Sequence, residues 1–335
     1  MTTAVCQPAI DSGVSVEPIW GLELRCPRCG GLFERIAQPR MSSSDRLRCC
    51  GCFFVLRSEN GIWLALPEGR EAYSRRLKKE YQSVRTARGR LSCDPAYRHI
   101  SPHQDYSGRD ELRWRVRERA LRYLQHELLP PLESACPRGM KILDLGAGNG
   151  WLSHRLTLRG HRPVAIDVFT DLPNGLEAAG VFRKSQAALY PRFEAELEHL
   201  PFAKGQFDLA IFNSSLRCSE DYVWTLGEAM RCLRPKATII IADAAWYSAE
   251  QSGMQMLAER CEASTSHPGI ASDGLSGLNG LTEERLRTLE GRLGLRWEAH
   301  SPFLGLDRVM RPILARLQGR GELPKLRIYV AEVRK

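Results

Sequence analysis

A glycine-rich turn joins two segments of different periodicity within residues 141–160. The first, Lys-Ile-Leu-Asp-Leu, is a short apolar run with one acid, Asp144, as expected of a buried parallel strand. In the second, Leu152 and Leu156 stand one helical turn apart and Gly160 suits a helix C-terminus. Three glycines at alternate positions separate them: Gly146, Gly148 and Gly150. The sequence therefore predicts a strand, a turn and a helix, which lets a ligand contact bare backbone at the carboxyl end of a sheet.

The spacing of these glycines excludes two common nucleotide-binding loops. A dinucleotide-binding loop follows G-x-G-x-x-G, whereas Trp151 stands at the position of its third glycine, and a P-loop needs a Gly-Lys pair that this turn lacks. A second apolar run, Val164-Ala-Ile-Asp167, ends in an acid seventeen residues after Gly150. A carboxylate at that place can accept both hydroxyls of a ribose. The pattern therefore favours a nucleoside ligand.

Four cysteines form a second constellation. They make two C-x-x-C pairs, Cys26 with Cys29 and Cys49 with Cys52, separated by nineteen residues. Each pair offers two thiolates, and two such pairs close a tetrahedral zinc site. Because four thiolates leave no open coordination position, the predicted Zn²⁺ is structural rather than catalytic.

The turn Asp144-Leu-Gly-Ala-Gly-Asn-Gly150 resembles the first motif of class I S-adenosylmethionine-dependent methyltransferases. That cofactor carries an ammonium group and no phosphate, so an acid in the loop suits it. Further motifs follow in the family's order over roughly residues 140–245. One of them, Glu196-Leu-Glu-His-Leu-Pro-Phe202, resembles the Asp-Ala-Glu-x-Leu-Pro-Phe stretch of ubiquinone- and menaquinone-biosynthesis methyltransferases. The resemblance implies S-adenosyl-L-methionine as the cofactor.

The same resemblance assigns positions in the cofactor site. Glu196 takes the place that usually binds the adenine amino group, where the family most often has Asp, and Leu197 supplies the amide beside it. Asn213 lies where relatives contact the methionine moiety. The segment before the first sheet strand folds over the cofactor in many relatives, which makes Tyr106 a candidate lid residue. The predicted cofactor-binding residues are Asp144, Gly146, Ala147, Gly148, Gly150, Asp167, Val168, Glu196, Leu197, Asn213 and Tyr106.

Methyl transfer from a sulfonium is an in-line displacement on an activated carbon, so binding and alignment supply much of the rate. A general base is needed only where the acceptor must lose a proton early. His199 and Asp243 are the candidate catalytic residues, with Glu198 as a further candidate, because all three are expected near the carboxyl ends of strands. Relatives usually carry His-His or His-Trp where this chain has Arg217 and Cys218.

Two features argue against two kinds of nucleobase methylation, at exocyclic amines and at cytosine C5. Asn213 is followed by Ser-Ser-Leu, not by the Pro-Pro-aromatic motif with which amino-directed DNA and RNA methyltransferases act on a flipped base. Cys218 and Cys232 lack the Pro-Cys or Thr-Leu-Cys context of cytosine-C5 enzymes. Both are therefore expected to be buried structural cysteines.

The four cysteines lie in a setting that resembles the small zinc ribbon preceding the catalytic domain of bacterial rRNA guanine methyltransferases. Gly30 follows the first pair, and Asn60-Gly within an apolar stretch predicts a hairpin after the second. Phe53 stands where that ribbon usually has glycine, and Cys50 is a spare thiol. A ribbon that has lost its metal is therefore the alternative interpretation.

The predicted fold is α/β: a Rossmann-like seven-stranded methyltransferase sheet of strand order 3-2-1-4-5-7-6, preceded by the zinc ribbon. Near the C-terminus we expect a helix over 282–294 with Thr282 as its N-cap, and two closing antiparallel strands at 295–300 and 326–333. The expected organisation is a flexible tail at 1–20, the ribbon at 21–68, a basic linker or lid at 69–110, and the methyltransferase domain at 111–335 with an insertion at about 245–280.

Composition indicates an ordinary globular protein. Hydrophobic residues make up 43% and charged residues 26% of the 335, and no apolar run approaches a membrane span. Residues 1–20 lack the basic start and apolar core of a signal peptide. We therefore expect a cytoplasmic location, in which eleven cysteines favour metal binding or burial over disulfides.

Positive charge is concentrated in residues 70–122, which hold fifteen Arg or Lys and seven Asp or Glu. One interpretation is a patch for nucleic acid or another anionic surface. The other, which we favour, is a solvated helix face, because the leucines and valine of 110–129 form one apolar stripe with the arginines largely off it.

Three functions are compatible with these patterns. The first is methyl transfer to a small-molecule, lipid or natural-product acceptor. The insertion between Asp243 and Gly280 and the Asn-Ser-Ser-Leu motif favour it. The second is an rRNA or tRNA methyltransferase that binds RNA through the ribbon and the basic segment. The third is a non-enzymatic scaffold that binds the cofactor, which the intact cofactor motifs disfavour. The sequence specifies neither the acceptor atom nor an oligomeric state.

Overall fold

The computed structural model describes residues 20–36, 45–67, 69–70, 78–79, 118–171, 175–184, 189–219, 221–247, 281–302 and 325–334. At 183–184, 243–247 and 325–326 it describes the backbone alone. Twelve strands of this part of the chain form one sheet. Among the described residues, no helix is both long enough and apolar enough to cross a membrane.

The strands and helices follow one another along the chain in an alternation typical of α/β proteins after residue 141. The strands are β1 (Phe33–Arg35), β2 (Arg46–Cys49), β3 (Val55–Glu59), β4 (Ile62–Leu64), β5 (Lys141–Leu145), β6 (Arg162–Asp167), β7 (Arg192–Glu194), β8 (Phe207–Asn213), β9 (Leu233–Tyr247), β10 (Leu281–Thr282), β11 (Glu298–His300) and β12 (Lys325–Glu332). The helices are α1 (Leu129–Ala135), which continues a π-helical turn (Leu124–Leu128), α2 (Trp151–Leu158), α3 (Tyr222–Cys232) and α4 (Glu283–Leu293). Two 3₁₀ segments span Leu176–Lys184 and Leu216–Cys218.

Seven of these strands have the predicted order. With β5 counted as the first, the sequence β7-β6-β5-β8-β9-β12-β11 is the expected 3-2-1-4-5-7-6. The five strands from β5 to β9 are parallel to their neighbours, whereas β12 runs antiparallel to β9 and to β11. Because the parallel strands all point the same way, their carboxyl ends meet along one edge, which we call the carboxyl edge.

The described residues of the predicted ribbon, 21–36 and 45–67, continue this sheet. Its strands β1 to β4 form an antiparallel meander, and β4 pairs in parallel with β7, with Trp63 opposite Phe193 and Leu64 opposite Glu194. The sequence did not predict this pairing, because Ile62-Trp-Leu64 suits the inner strand of a hairpin and a sheet strand equally well. The ribbon therefore lies beside the strand that precedes Glu196, one of the predicted cofactor residues.

Ribbon and sheet share one apolar core. On one face of the sheet, fully buried residues of both parts pack together: Leu47, Leu56, Trp63, Phe193, Phe202 and Phe212. Trp63 stacks on Phe193 with ring centroids 6.4 Å apart, and Phe193 meets Phe202 edge to face at 5.0 Å. Arg192, 3% exposed, donates to the carbonyls of Leu176 and Asn60 and so fastens the β3–β4 turn to the sheet.

The closing elements near the C-terminus confirm their predictions. Thr282 Oγ1 accepts the backbone N–H of Arg285 at 3.2 Å, so it is the N-cap of α4. Gly294 ends the helix in a left-handed conformation, with φ of +66°. β11 and β12 then pair antiparallel at the far end of the sheet.

Candidate functional site

The glycine turn after β5 is fixed to the end of β6. The backbone N–H groups of Gly146 and Ala147 both donate to the carbonyl of Ile166, at 2.8 and 2.9 Å. Gly146 has φ of +76°, and a Cβ there would overlap the side chain of Ser215. The turn thus lies close against the loop after β8, which only glycine permits at this position.

Asp167 receives hydrogen bonds from this turn. Its Oδ2 accepts the N–H of Gly148 at 2.7 Å, and its Oδ1 accepts the N–H of Phe169 at 2.8 Å. The side chain is 7% exposed, and burial raises the pKa of Asp167 to about 6, although the backbone donors oppose the shift. The backbone N–H of Val168 contributes as well, and because a carboxylate has about four lone-pair sites, Asp167 keeps acceptor capacity for a ligand.

Asp144 lies deeper than the other predicted cofactor residues. It is 1% exposed, and its Oδ2 accepts the hydroxyl of Ser153 on α2 at 2.7 Å. Burial raises the pKa of Asp144 to about 7, while the Ser153 hydrogen bonds lower it and the nearby charge of Asp167 raises it further. In this arrangement Asp144 holds the start of α2 against the end of β5, and its predicted contact with the cofactor stays a prediction.

Two residues that sequence reasoning missed hold the turn in place. Ser215 Oγ donates to the carbonyl of Leu145, the last residue of β5. Tyr190 Oη donates to the carbonyl of Gly150 at 2.5 Å. Ser215 belongs to the Asn-Ser-Ser-Leu motif, which was a usable signal, whereas no local pattern marks Tyr190.

Glu196 lies two residues after the end of β7 and is 2% exposed. Arg70 donates from Nε to its Oε1 at 2.9 Å and to its Oε2 at 3.1 Å, and His199 donates from Nδ1 to Oε2 at 3.3 Å. Burial alone would raise the pKa of Glu196, but the hydrogen bonds and charges of His199 and Arg70 outweigh it and hold that pKa below its usual value. The Glu196 hydrogen bond likewise raises the pKa of His199, against the effect of burial.

Glu198 is tied to α3 and its preceding loop. Its Oε1 accepts the hydroxyl of Thr225 at 2.8 Å, and Ser219 and Thr225 share a hydrogen bond of 2.6 Å. Its backbone carbonyl accepts the indole N–H of Trp224, which is 58% exposed and lies 5.7 Å from the ring of His199. This network fixes the loop that carries Glu196.

The other predicted residues fall on or near the carboxyl edge. Asn213 ends β8, half-buried, opposite Ala242 of β9 in the register. Val168 follows β6, and Leu197 packs against the core beside Glu196. The backbone of Asp243 lies in β9, one residue after Ala242, but its side chain lies outside the described residues, as does all of Tyr106.

The two cysteines discussed above differ in their surroundings. Cys232 is fully buried at the end of α3, as predicted. Cys218 is half-buried, and desolvation raises the pKa of its thiol. A raised pKa makes Cys218 a poor thiolate nucleophile, and full burial separates Cys232 from any substrate, so neither cysteine suits covalent catalysis.

The four paired cysteines meet in space. The Sγ atoms of Cys26, Cys29, Cys49 and Cys52 lie within 4.8 Å of one another. Cys26 and Cys52 are 3.5 Å apart at sulfur, and Cys29 and Cys49 are 3.4 Å apart. Tetrahedral zinc with Zn–S bonds of about 2.3 Å would space the sulfurs by about 3.8 Å. The cluster therefore fits a Cys₄ zinc centre.

The two cysteine turns repeat one geometry. Gly30 N–H donates to the carbonyl of Cys26 at 2.8 Å, and Phe53 N–H donates to that of Cys49 at 3.0 Å. Gly30 has φ of +74° and Phe53 has φ of +61°, so both occupy the left-handed region. The departure noted at Phe53 is thus accommodated with the phenyl ring 69% exposed, at the cost of a conformation that glycine adopts more easily.

A glycine turn after the first strand of a 3-2-1-4-5-7-6 sheet, with one acid ending the second strand and another following the third, is the arrangement expected of a class I methyltransferase domain. Comparison with protein families agrees, since residues 143–241 match the model of a family described as a methyltransferase domain. This part of the chain is therefore a methyltransferase domain.

Similar proteins bear corresponding names. A malonyl-[acyl-carrier protein] O-methyltransferase of Hahella chejuensis is 34% identical over 106 residues, which are 31% of this chain and 36% of that protein. A demethylmenaquinone methyltransferase of Beutenbergia cavernae is 32% identical over 105 residues, 31% of this chain and 41% of that protein. The chain thus spans less than half the length of these relatives. Among solved structures, a 1,6-didemethyltoxoflavin-N1-methyltransferase of Burkholderia thailandensis has a TM-score of 0.43 and 15% identity, covering 90% of this chain and 100% of that one.

Proposed function

We propose that this protein transfers a methyl group from S-adenosyl-L-methionine to a small-molecule, lipid or natural-product acceptor. The observation that carries the proposal is the hydrogen bond between Gly148 and Asp167, which fixes a carboxylate beside the glycine turn with acceptor positions to spare. Two matched relatives are named for malonyl-[acyl-carrier protein] and for demethylmenaquinone, and these names support an acceptor other than a nucleic acid.

The hydrogen-bonding groups at the carboxyl edge fit this cofactor. Asp167 would accept the ribose hydroxyls and Glu196 the adenine amino group, while Asn213 and the backbone from Gly146 to Gly148 would contact the methionine moiety. The close approach of Ser215 to Gly146 supports bare backbone as the floor of such a site. When bound, the cofactor supplies an activated methyl group on a sulfonium, and the protein residues align it with the acceptor.

Among the candidate catalytic residues, Asp243 is the better proposed base. His199 donates a hydrogen bond from Nδ1 to Glu196, and its raised pKa disfavours the neutral ring that a base requires. His199 therefore fits a positioning role, because it holds the Glu196 carboxylate. The reaction needs a general base only if the acceptor group must lose a proton early in methyl transfer.

We further propose a structural Zn²⁺ bound by Cys26, Cys29, Cys49 and Cys52. The spacing of the sulfurs supports four thiolate ligands, and a closed Cys₄ shell leaves no position for a substrate. The ion would then stabilise the ribbon and, through β4, the strand that precedes Glu196.

RNA binding is a weaker proposal. In the basic segment, Arg70 forms an ion pair with Glu196 and Lys78 forms one with Glu194, at the carboxyl end of β7. Their positive charges are therefore partly neutralised and would attract a phosphate backbone less strongly. RNA binding through this segment would weaken steeply as salt rises. Tight, salt-sensitive binding to rRNA or tRNA, with methylation of that RNA, would reverse the order of the two proposals.

Calorimetric titration with S-adenosylmethionine tests the cofactor assignment. We expect micromolar binding by the wild type and a loss of about tenfold or more in Asp167→Ala, because a charged hydrogen-bond acceptor is removed. Asp45→Ala, which removes an exposed acid on the ribbon, is the matched control and should bind normally. Equal affinity of wild type and Asp167→Ala would refute the assignment of Asp167. Acceptor classes can then be screened with a labelled methyl group.

A further inference from the structure

Arg70 covers the carboxylate to which the adenine amino group is assigned. It lies six residues after β4, and its Nε is 2.9 Å and 3.1 Å from the two oxygens of Glu196. His199 Nδ1 approaches the same carboxylate at 3.3 Å. With both partners in place, the side chain of Glu196 is 2% exposed, while that of Arg70 is 38% exposed.

Two described residues that flank Arg70 in the sequence contact Glu194, two residues before Glu196. Ala65 N–H donates to the carbonyl of Glu194, the last residue of β7, at 2.8 Å. Lys78 Nζ lies 2.9 Å from the carboxylate of the same Glu194, and both side chains of this ion pair are largely buried. Ala65, before Arg70 in the chain, and Lys78, after it, therefore both contact Glu194.

We propose that Arg70 is a gate on the cofactor site, competing with the adenine amino group for the Glu196 carboxylate. This inference rests on the proposed use of S-adenosylmethionine. Because the carboxylate is almost inaccessible with Arg70 in place, a ligand can donate to it only after the guanidinium has moved away. Arg70 is more than a third exposed, so its guanidinium has solvent beside it to enter when it leaves Glu196.

The gate lowers the affinity for the cofactor in proportion to the fraction of molecules in which Arg70 is displaced. A residue that contacted the cofactor favourably would have the opposite effect. The sign of the change in affinity on replacing Arg70 therefore distinguishes a gate from a binding residue.

The test is calorimetric titration of full-length wild type, Arg70→Met and Arg70→Gln with S-adenosylhomocysteine, which has the same adenosine and does not react. We expect Arg70→Met to bind about tenfold tighter, and Arg70→Gln to bind tighter by a smaller factor. The gain should shrink for S-inosylhomocysteine, which carries a carbonyl oxygen in place of the amino donor. Arg48→Met is the matched control, since Arg48 pairs with Glu34 on the ribbon, and it should match the wild type.

Each other outcome has a defined meaning. If the wild type binds and both Arg70 variants bind equally well or more weakly, the gate is refuted while the proposed function stands. If the folded wild type and the folded variants all fail to bind S-adenosylhomocysteine, both the proposed function and the proposed gate are refuted. Thermal unfolding without ligand establishes that each variant is folded, and Arg70→Gln supplies the result should Arg70→Met not fold.

Discussion

The backbone N–H of Gly148 lies 2.7 Å from Oδ2 of Asp167, so one hydrogen bond joins the turn after β5 to the acid that ends β6. Gly148 has φ of +56°, a conformation in which other residues are strained. The glycine turn and the Asp167 carboxylate therefore hold each other in position without a bound ligand.

Gly148→Val should abolish cofactor binding. A β-branched residue at positive φ costs about 1–2 kcal/mol or more, and relaxation of the strain would move the N–H away from Asp167. Titration with S-adenosylmethionine measures the effect. Gly205→Val is the control, because Gly205 also has positive φ, +70°, with open space around it. Both variants should lose some stability, and only the first should lose binding; undiminished binding by Gly148→Val would contradict the placement of the site.

Asp144→Asn should make the protein more stable at alkaline pH. The pKa of Asp144 in the folded protein, about 7, lies above its ordinary value of 3.8. Below pH 3.8 Asp144 is protonated in both the folded and the unfolded protein, and its contribution to stability is fully present. As pH rises through the folded-state pKa of about 7, that contribution is lost. Asn is neutral throughout and can still accept the Ser153 hydroxyl.

Urea unfolding at pH 5 and pH 8 measures this difference. We expect the free energy of unfolding of Asp144→Asn, relative to wild type, to increase by about 2–4 kcal/mol between the two pH values. Asp45→Asn, at an exposed position on the ribbon, should show the pH dependence of the wild type. An equal pH dependence in wild type and Asp144→Asn would mean that Asp144 is already ionised at pH 5.

Metal content should depend on four cysteines and not on the fifth nearby. We expect about one zinc per chain, lost in Cys49→Ser together with several degrees of thermal stability. Cys50→Ser is the control, since Cys50 is exposed and not part of the sulfur cluster. Elemental analysis and thermal unfolding of the same samples measure both. If the wild-type protein contains no metal and is nevertheless stable, the alternative interpretation, a ribbon that has lost its metal, is favoured.

Phe53→Gly should stabilise the ribbon, and Gly30→Ala should destabilise it. The two residues occupy equivalent left-handed positions, φ +61° and +74°, in the two cysteine turns. Phe53 is 69% exposed and lies 6.0 Å from the guanidinium of Arg48, so its removal forfeits little packing. We expect about +0.5 to +1 kcal/mol for the first change and about −1 kcal/mol for the second. Chemical unfolding of zinc-loaded protein measures both, and changes of the same sign would contradict the equivalence.

The sheet order could be predicted through the resemblance to class I methyltransferases, and the cysteine cluster through the spacing of the two C-x-x-C pairs. The glycine turn, the runs ending at Asp167 and Asn213, and the two C-x-x-C pairs each specify a local geometry that the fold brings together. The same holds for the N-cap at Thr282.

What the sequence could not supply were contacts between distant segments. Trp63 pairs with Phe193 across 130 positions, and Arg70 reaches Glu196 across 126. Arg70 is one of many arginines in a basic segment, and nothing in its immediate neighbours distinguishes it. Tyr190 is equally unmarked, since the carbonyl that it contacts, that of Gly150, belongs to another loop.

The pairing of β4 with β7 has a consequence for solubility. Without the ribbon, β7 would end the sheet as an outer strand whose Phe193 is fully buried in the intact protein, a template for pairing between molecules. With it, the outermost strands among the described residues are β1 and β11, each three residues long and carrying charged side chains, Phe-Glu-Arg and Glu-Ala-His. Short, charged margins of this kind discourage association edge to edge, so the ribbon also protects the molecule from aggregation.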